Sequence, residues 1–126
     1  MDTRTGIALL SAGRIAVGAA LLGATRQTAS GWLGRATTTI PGGRVAVRAV
    51  GGRDVGLGAG TLSALAADAS DEELTRWLVV GTVGDVVDGL ATLASGRRSP
   101  ATMASTVLAF GAAAVGVALA VALARD

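Results

Sequence analysis

Six ionisable residues sit inside otherwise apolar stretches of helical length. Arg14 lies in the first stretch, Arg48, Arg53 and Asp54 in the second, and Asp85 and Asp88 in the third. A charged side chain at a helix centre in hydrocarbon costs about 2.5–3.5 kcal/mol on insertion scales, unless it is paired, wetted or long enough to reach the interface. Three arginines against three aspartates predict a paired, neutral layer inside a helical membrane bundle. That layer could do one of two things. Asp85 and Asp88 could take up and release a proton or cation, with Arg53 as counter-ion, and so couple transport. Or the six could form fixed ion pairs that set helix register, a role that need not add net stability. The equal count of each sign favours the second.

What the chain lacks narrows the chemistry further. It has no cysteine and no histidine. Disulfides, thiol nucleophiles, the usual zinc sites, a Ser-His-Asp triad and imidazole acid–base catalysis are therefore excluded. The net charge of +2 is carried by arginines scattered over loops and helices, with no lysine and almost no aromatics, so no nucleic-acid partner is expected.

Spacing gives the charges a direction. Asp85 and Asp88 are three residues apart and share one helix face, which Gly81 and Thr92 extend. Arg53 and Asp54 are adjacent, so they point about 100° apart and address different neighbours. The expected pairing is Arg53 with the Asp85/Asp88 face and Asp54 with Arg14. At about 1.5 Å per residue, all of these fall in the middle third of their segments. Arg48 lies nearer the cytoplasmic end, where a long side chain can snorkel.

The elements that must position these residues follow from hydropathy. The chain of 126 residues suits one domain, is 51% hydrophobic with mean hydropathy +0.58, and has only 16% charged residues. Soluble domains carry about 25% charged residues. The expectation is an all-α, four-transmembrane-helix bundle, a single integral membrane domain over 1–126 with helices near 6–24, 45–66, 76–93 and 100–124. The first is read as retained rather than a cleaved signal, since Arg14 interrupts it and no small-x-small site follows Leu22. Gly52, Gly56 and Gly60 recur every four residues and predict close packing of the second segment on the third, where Gly81 is small. Ser70 and Glu73 read as a capping box with acidic residues in the first turn. Ser99-Pro100 reads as a helix start and Gly96 as a helix end. Residues 25–44 read as the long loop, with Trp32-Leu33 at the interface and a turn at Pro41-Gly42-Gly43; a short surface helix there is only weakly signalled.

Topology and partners follow. Arg26, Arg35, Arg44, Arg97 and Arg98 outnumber Arg4, Arg76 and Arg125 on the other side. The positive-inside rule puts loops 25–44 and 94–99 in the cytoplasm and both termini outside, in a multi-pass protein of a bacterial cell membrane. A small stripe at Ala112, Gly116 and Ala120 suggests a homo-oligomer or a larger membrane complex within the lipid bilayer.

The elements Gly13-Arg14, Gly51-Gly52-Arg53-Asp54 with Leu57-Gly58, and Asp85-x-x-Asp88 resemble a group of small four-helix integral membrane proteins of unknown function, common in actinobacteria. The resemblance implies a four-helix membrane fold with the Arg and Asp positions as group features. It implies no activity. Asp85-Val86-Val87-Asp88-Gly89 alone resembles the opening of the metal-binding motif of membrane CDP-alcohol phosphotransferases. Thr92-Leu93 stands where that motif requires Ala-Arg, and its second aspartate pair is missing. No metal, cofactor or enzymatic activity is expected. The function expected is an accessory or scaffold subunit held by a buried Arg–Asp network; the alternative is an oligomeric small transporter or channel using its intramembrane aspartates.

Overall fold

A computed structural model describes residues 2–125, and Met1 and Asp126, the chain ends assigned outside, lie beyond the described residues. Six helices follow one another: α1 (Thr3–Gly23), α2 (Thr25–Leu33), α3 (Arg35–Thr39), α4 (Pro41–Ala66), α5 (Asp71–Ala94) and α6 (Pro100–Leu123). Among the described residues there is no strand. The all-α expectation is met, but two parts of it need correction.

First, three helices rather than four are long and apolar enough to cross a membrane by length and composition: α1, α5 and α6. The second predicted span, α4, is the longest at 26 residues, yet Arg44, Arg48, Arg53 and Asp54 dilute it. Second, most of the predicted loop 25–44 is helical. Gly34, at φ +90, breaks it into α2 and α3, a backbone angle that suits glycine. Pro41, read as part of a turn, opens α4 instead, where its fixed φ and missing N–H are tolerated.

The predicted boundaries elsewhere shift by a few residues, and the caps explain where. Asp2 caps α1 by accepting from the Thr5 N–H at 2.8 Å. Ser70 caps α5 through the Glu73 N–H at 3.2 Å, so that helix starts at Asp71 rather than near 76. Ser99 caps α6 through the Thr102 N–H at 3.1 Å, with Pro100 first in the helix. Gly96 follows the end of α5 at φ +71.

The helices form two antiparallel pairs. α1 packs along α4, and α5 along α6. Gly18 lies against Gly51, and Ser11 against Gly58, so the registers run in opposite directions. A Cβ at Gly51 would come within 2.7 Å of the Gly18 carbonyl oxygen, and one at Gly58 within 2.6 Å of the Ser11 carbonyl oxygen. In the other pair, Phe110 covers Gly89, and Thr82 lies against Gly116.

Of the glycine stripe predicted to pack on the third segment, only Gly60 meets α5. Gly52 and Gly56 are exposed and have open space beside them. Gly60 lies under the Trp77 ring, and Gly81 under the Arg14 guanidinium rather than under another helix backbone. The stripe in use is Val47, Gly51, Asp54, Gly58 and Thr61, facing α1. A face stepping by four and three residues and a glycine ladder stepping by four coexist on α4, and periodicity alone does not say which meets α1. Of the small stripe of α6, Gly116 is buried, while Ala112 and Ala120 are half-buried.

Two apolar clusters cap the bundle. Ile7, Ala64, Leu74, Leu78 and Leu123 meet at one end. Leu21, Ala29 and Val47 meet at the other, with Trp32, Leu33 and Val50 packed on them. Large apolar side chains cover the outside instead: Val45, Val83, Val107 and Leu108 are more than half exposed. This inversion, with charge within and hydrocarbon without, suits a lipid surround.

Candidate functional site: a charged layer beside an open cleft

The charges lie between the two apolar clusters, where they join one helix pair to the other. Arg14 on α1 grips Asp85 on α5 with both terminal nitrogens: Nη1 donates to Oδ1 at 2.9 Å and Nη2 to Oδ2. Both side chains are about nine-tenths buried. Arg53 on α4 grips Asp88 on α5 the same way, at 3.0 and 2.6 Å. Two parallel N–H···O bonds to a carboxylate fix orientation as well as charge, which a lysine could not do.

Arg53 also turns back on its own neighbour. Its Nε and Nη2 donate to Asp54 Oδ1 at 3.2 and 2.8 Å. The expected pairing of Arg53 with the Asp85/Asp88 face thus forms at Asp88. The expected pairing of Asp54 with Arg14 does not. Arg14 is taken by Asp85, and the long Arg53 side chain spans the 100° that separates it from Asp54.

Arg48 stands outside the layer. It is exposed and forms no ion pair among the described residues. Five residues before Arg53, it points about 140° away from it around the helix. Removing Arg48 changes the balance: Arg14 and Arg53 face Asp54, Asp85 and Asp88, one negative charge in excess rather than the neutral layer expected.

Glycines make room for these groups. A Cβ at Gly81 would meet the Arg14 guanidinium within 2.9 Å, and one at Gly84 would approach that of Arg53 at 3.4 Å. Asp85, Gly81 and Thr92 are all buried on one face of α5, as their spacing predicts.

Beside the layer lies a cleft of about 510 Å³, reached by residues of α1, α2, α4, α5 and α6. Arg14, Asp54, Asp85 and Asp88 line it, with apolar walls from α1 and α6. Trp32 closes one end. Its Nε1 donates to Thr92 Oγ1 at 2.9 Å, and its carbonyl accepts from Thr102 Oγ1 at 2.9 Å. The sequence placed Trp32 at the interface; its hydrogen bonds tie α2 across the ends of α5 and α6. Thr92 and Thr102, polar residues on apolar helices, were the available signal. Gly13 and Ser105, which also line the cleft, left none.

At the same end Ser99 Oγ donates to the Gly31 carbonyl at 3.3 Å, and Arg97 lies over Gly34. The α1–α4 and α5–α6 connections therefore lie at one end of the bundle. The opposite end is tied by Arg4 to Asp71 at 3.1 Å. No group of carboxylates able to hold a metal ion occurs among the described residues. Set beside known proteins, the chain matches no family model, no curated protein and no solved structure.

Proposed function

We propose that this protein is an accessory or scaffold subunit of a bacterial cell membrane, with no chemistry of its own, and a member of the small four-helix group its motifs resemble. In this reading α4 crosses the bilayer with α1, α5 and α6. Its own composition does not carry it across, but its Arg53 is met by Asp88 of α5 and its small face by α1. The observation that carries the reading is the double grip across the helix pairs. Arg14 occupies both oxygens of Asp85, and Arg53 both oxygens of Asp88, so both aspartates are engaged in pairs that join helices.

A scaffold needs a face for its partner. With the α6 stripe used internally, the open Gly52–Gly56 face of α4 supports that role, since two glycines four apart admit close approach of another helix. The partner is a second copy or a larger membrane protein.

Native mass spectrometry after gentle extraction from the host membrane tests this. A co-purifying membrane protein or a homo-oligomer, lost in Gly56→Leu with helicity unchanged, supports it. A bare monomer in both proteins overturns it. The second reading is an oligomeric small transporter or channel using intramembrane aspartates, and the one excess negative charge favours it. It requires that Asp85→Asn leave folding intact and abolish pH-dependent uptake into proteoliposomes.

A further inference from the structure

The charged layer is not electrically closed, and its surplus faces the cleft. Both oxygens of Asp85 and both of Asp88 are taken by arginine. Asp54 shares Arg53 through Oδ1 alone, and its Oδ2 accepts no hydrogen bond among the described residues. Asp54 is only 9% exposed, and it lines the cleft. That oxygen is accessible from the cleft, and a carboxylate oxygen without a donor between largely apolar walls makes this the one place in the layer that calls for a further positive group.

The cleft restricts what that group belongs to. Its walls are mostly apolar, built from Leu10, Val17, Leu108 and Ala112, with Ser105 and Thr92 among the few hydroxyls. A neutral molecule would leave the charge unmet, and an anion would add to it. A divalent metal finds one free carboxylate oxygen where it needs several. A bare monovalent ion would lose its water against hydrocarbon walls.

Access narrows it again. Apolar clusters close both ends, and Trp32 spans one of them. The flank between α1 and α6 is open: Leu9, Val17 and Leu108 line the cleft and remain exposed. The route in is from the surround of the bundle, which for a membrane protein is lipid.

We propose that this cleft binds a monovalent amphipathic organic cation, its ammonium N–H on Asp54 Oδ2 and its apolar body between α1 and α6. The site needs no transport cycle, and it stands or falls independently of any partner at the Gly52–Gly56 face.

The full chain carrying Trp77→Phe, in lipid nanodiscs, keeps Trp32 as its only indole, in the wall of the cleft. Titration with decylammonium should change Trp32 fluorescence saturably; decanol, with the same tail and no charge, should not. Asp54→Asn should weaken the decylammonium response by about tenfold or more, as expected for loss of a charged hydrogen-bond partner. Gly13→Leu supplies a second variant. A Cβ there meets no atom within 4 Å, so the larger side chain occupies the cleft without displacing backbone or charge. It should abolish the response while helicity is kept, whether or not Asp54→Asn folds. Equal responses to decanol and decylammonium, or an unchanged response in Gly13→Leu, would overturn the proposal.

Discussion

The Arg14–Asp85 pair is the most deeply buried of the ion pairs, and breaking it leaves an unpaired charge in a dry site. Asp85→Asn or Arg14→Gln should each cost about 3–5 kcal/mol, the range for removing one partner of a buried pair. The double variant Arg14→Leu/Asp85→Leu should recover most of that, because the desolvation penalty goes with the charges. Thermal unfolding in one detergent measures all three, and equal losses in the singles and the double would contradict the assignment. Asp88→Asn should lose less, since Arg53 retains Asp54 and is a third exposed. At the start of α1, hydrogen bonds from the Thr5 N–H and hydroxyl hold the Asp2 carboxyl below the usual carboxylate range. A carboxylate depressed in the folded state stabilises above its unfolded pKa and loses that contribution as pH falls through the folded value. Amide exchange at Thr5 should therefore stay protected near neutrality and speed up, beyond its intrinsic pH dependence, only below about pH 4.

At the scale of the helix, the two glycine ladders of α4 make opposite predictions. Gly58→Ala places a methyl against the Ser11 carbonyl and Ile15 and should cost about 1–3 kcal/mol through overpacking. Gly52→Ala and Gly56→Ala meet open space and should be neutral or stabilising, by up to about 1 kcal/mol from helix propensity. Melting temperatures of the three variants separate the ladders, and a larger loss at Gly52 than at Gly58 would reverse the assignment. This is also where the limits of sequence reading are clearest. The four long helices, the caps at Ser70 and Ser99 and the shared face of Asp85 and Thr92 were legible, because each depends on local spacing, whereas α2 and α3 were read as loop. Which ladder meets α1, and that Arg53 bends back to Asp54, were not. Those depend on the rotation of one helix against another and on side-chain reach. Arg48 was counted in the charge balance although its depth already set it apart, and its rotation about the helix also takes it out of the layer.

For the whole molecule, the two connections share one end of the bundle, and positive charge gathers there through Arg26, Arg35, Arg44, Arg97 and Arg98. In the cell, single cysteines at Arg26 or Arg98 should be shielded from a membrane-impermeant thiol reagent, and one at Asp68 should be labelled. The native chain has no cysteine, so the background is clean. Labelling at Arg26 and Arg98 but not at Asp68 would invert the orientation. The charged layer sits between two apolar clusters along the bundle axis.

The division of charge between the helix pairs also bears on how the chain is made. Arg53 meets its partner 35 residues later, at Asp88, and Arg14 waits 71 residues for Asp85. Until α5 is in place, the Arg53 guanidinium has only Asp54 as a partner. In the four-span reading proposed above, stable membrane entry of α4 is therefore timed by the arrival of α5 rather than by α4's own synthesis. A released chain ending at Ala69 should leave α4 open to aqueous reagents, and the full chain should not.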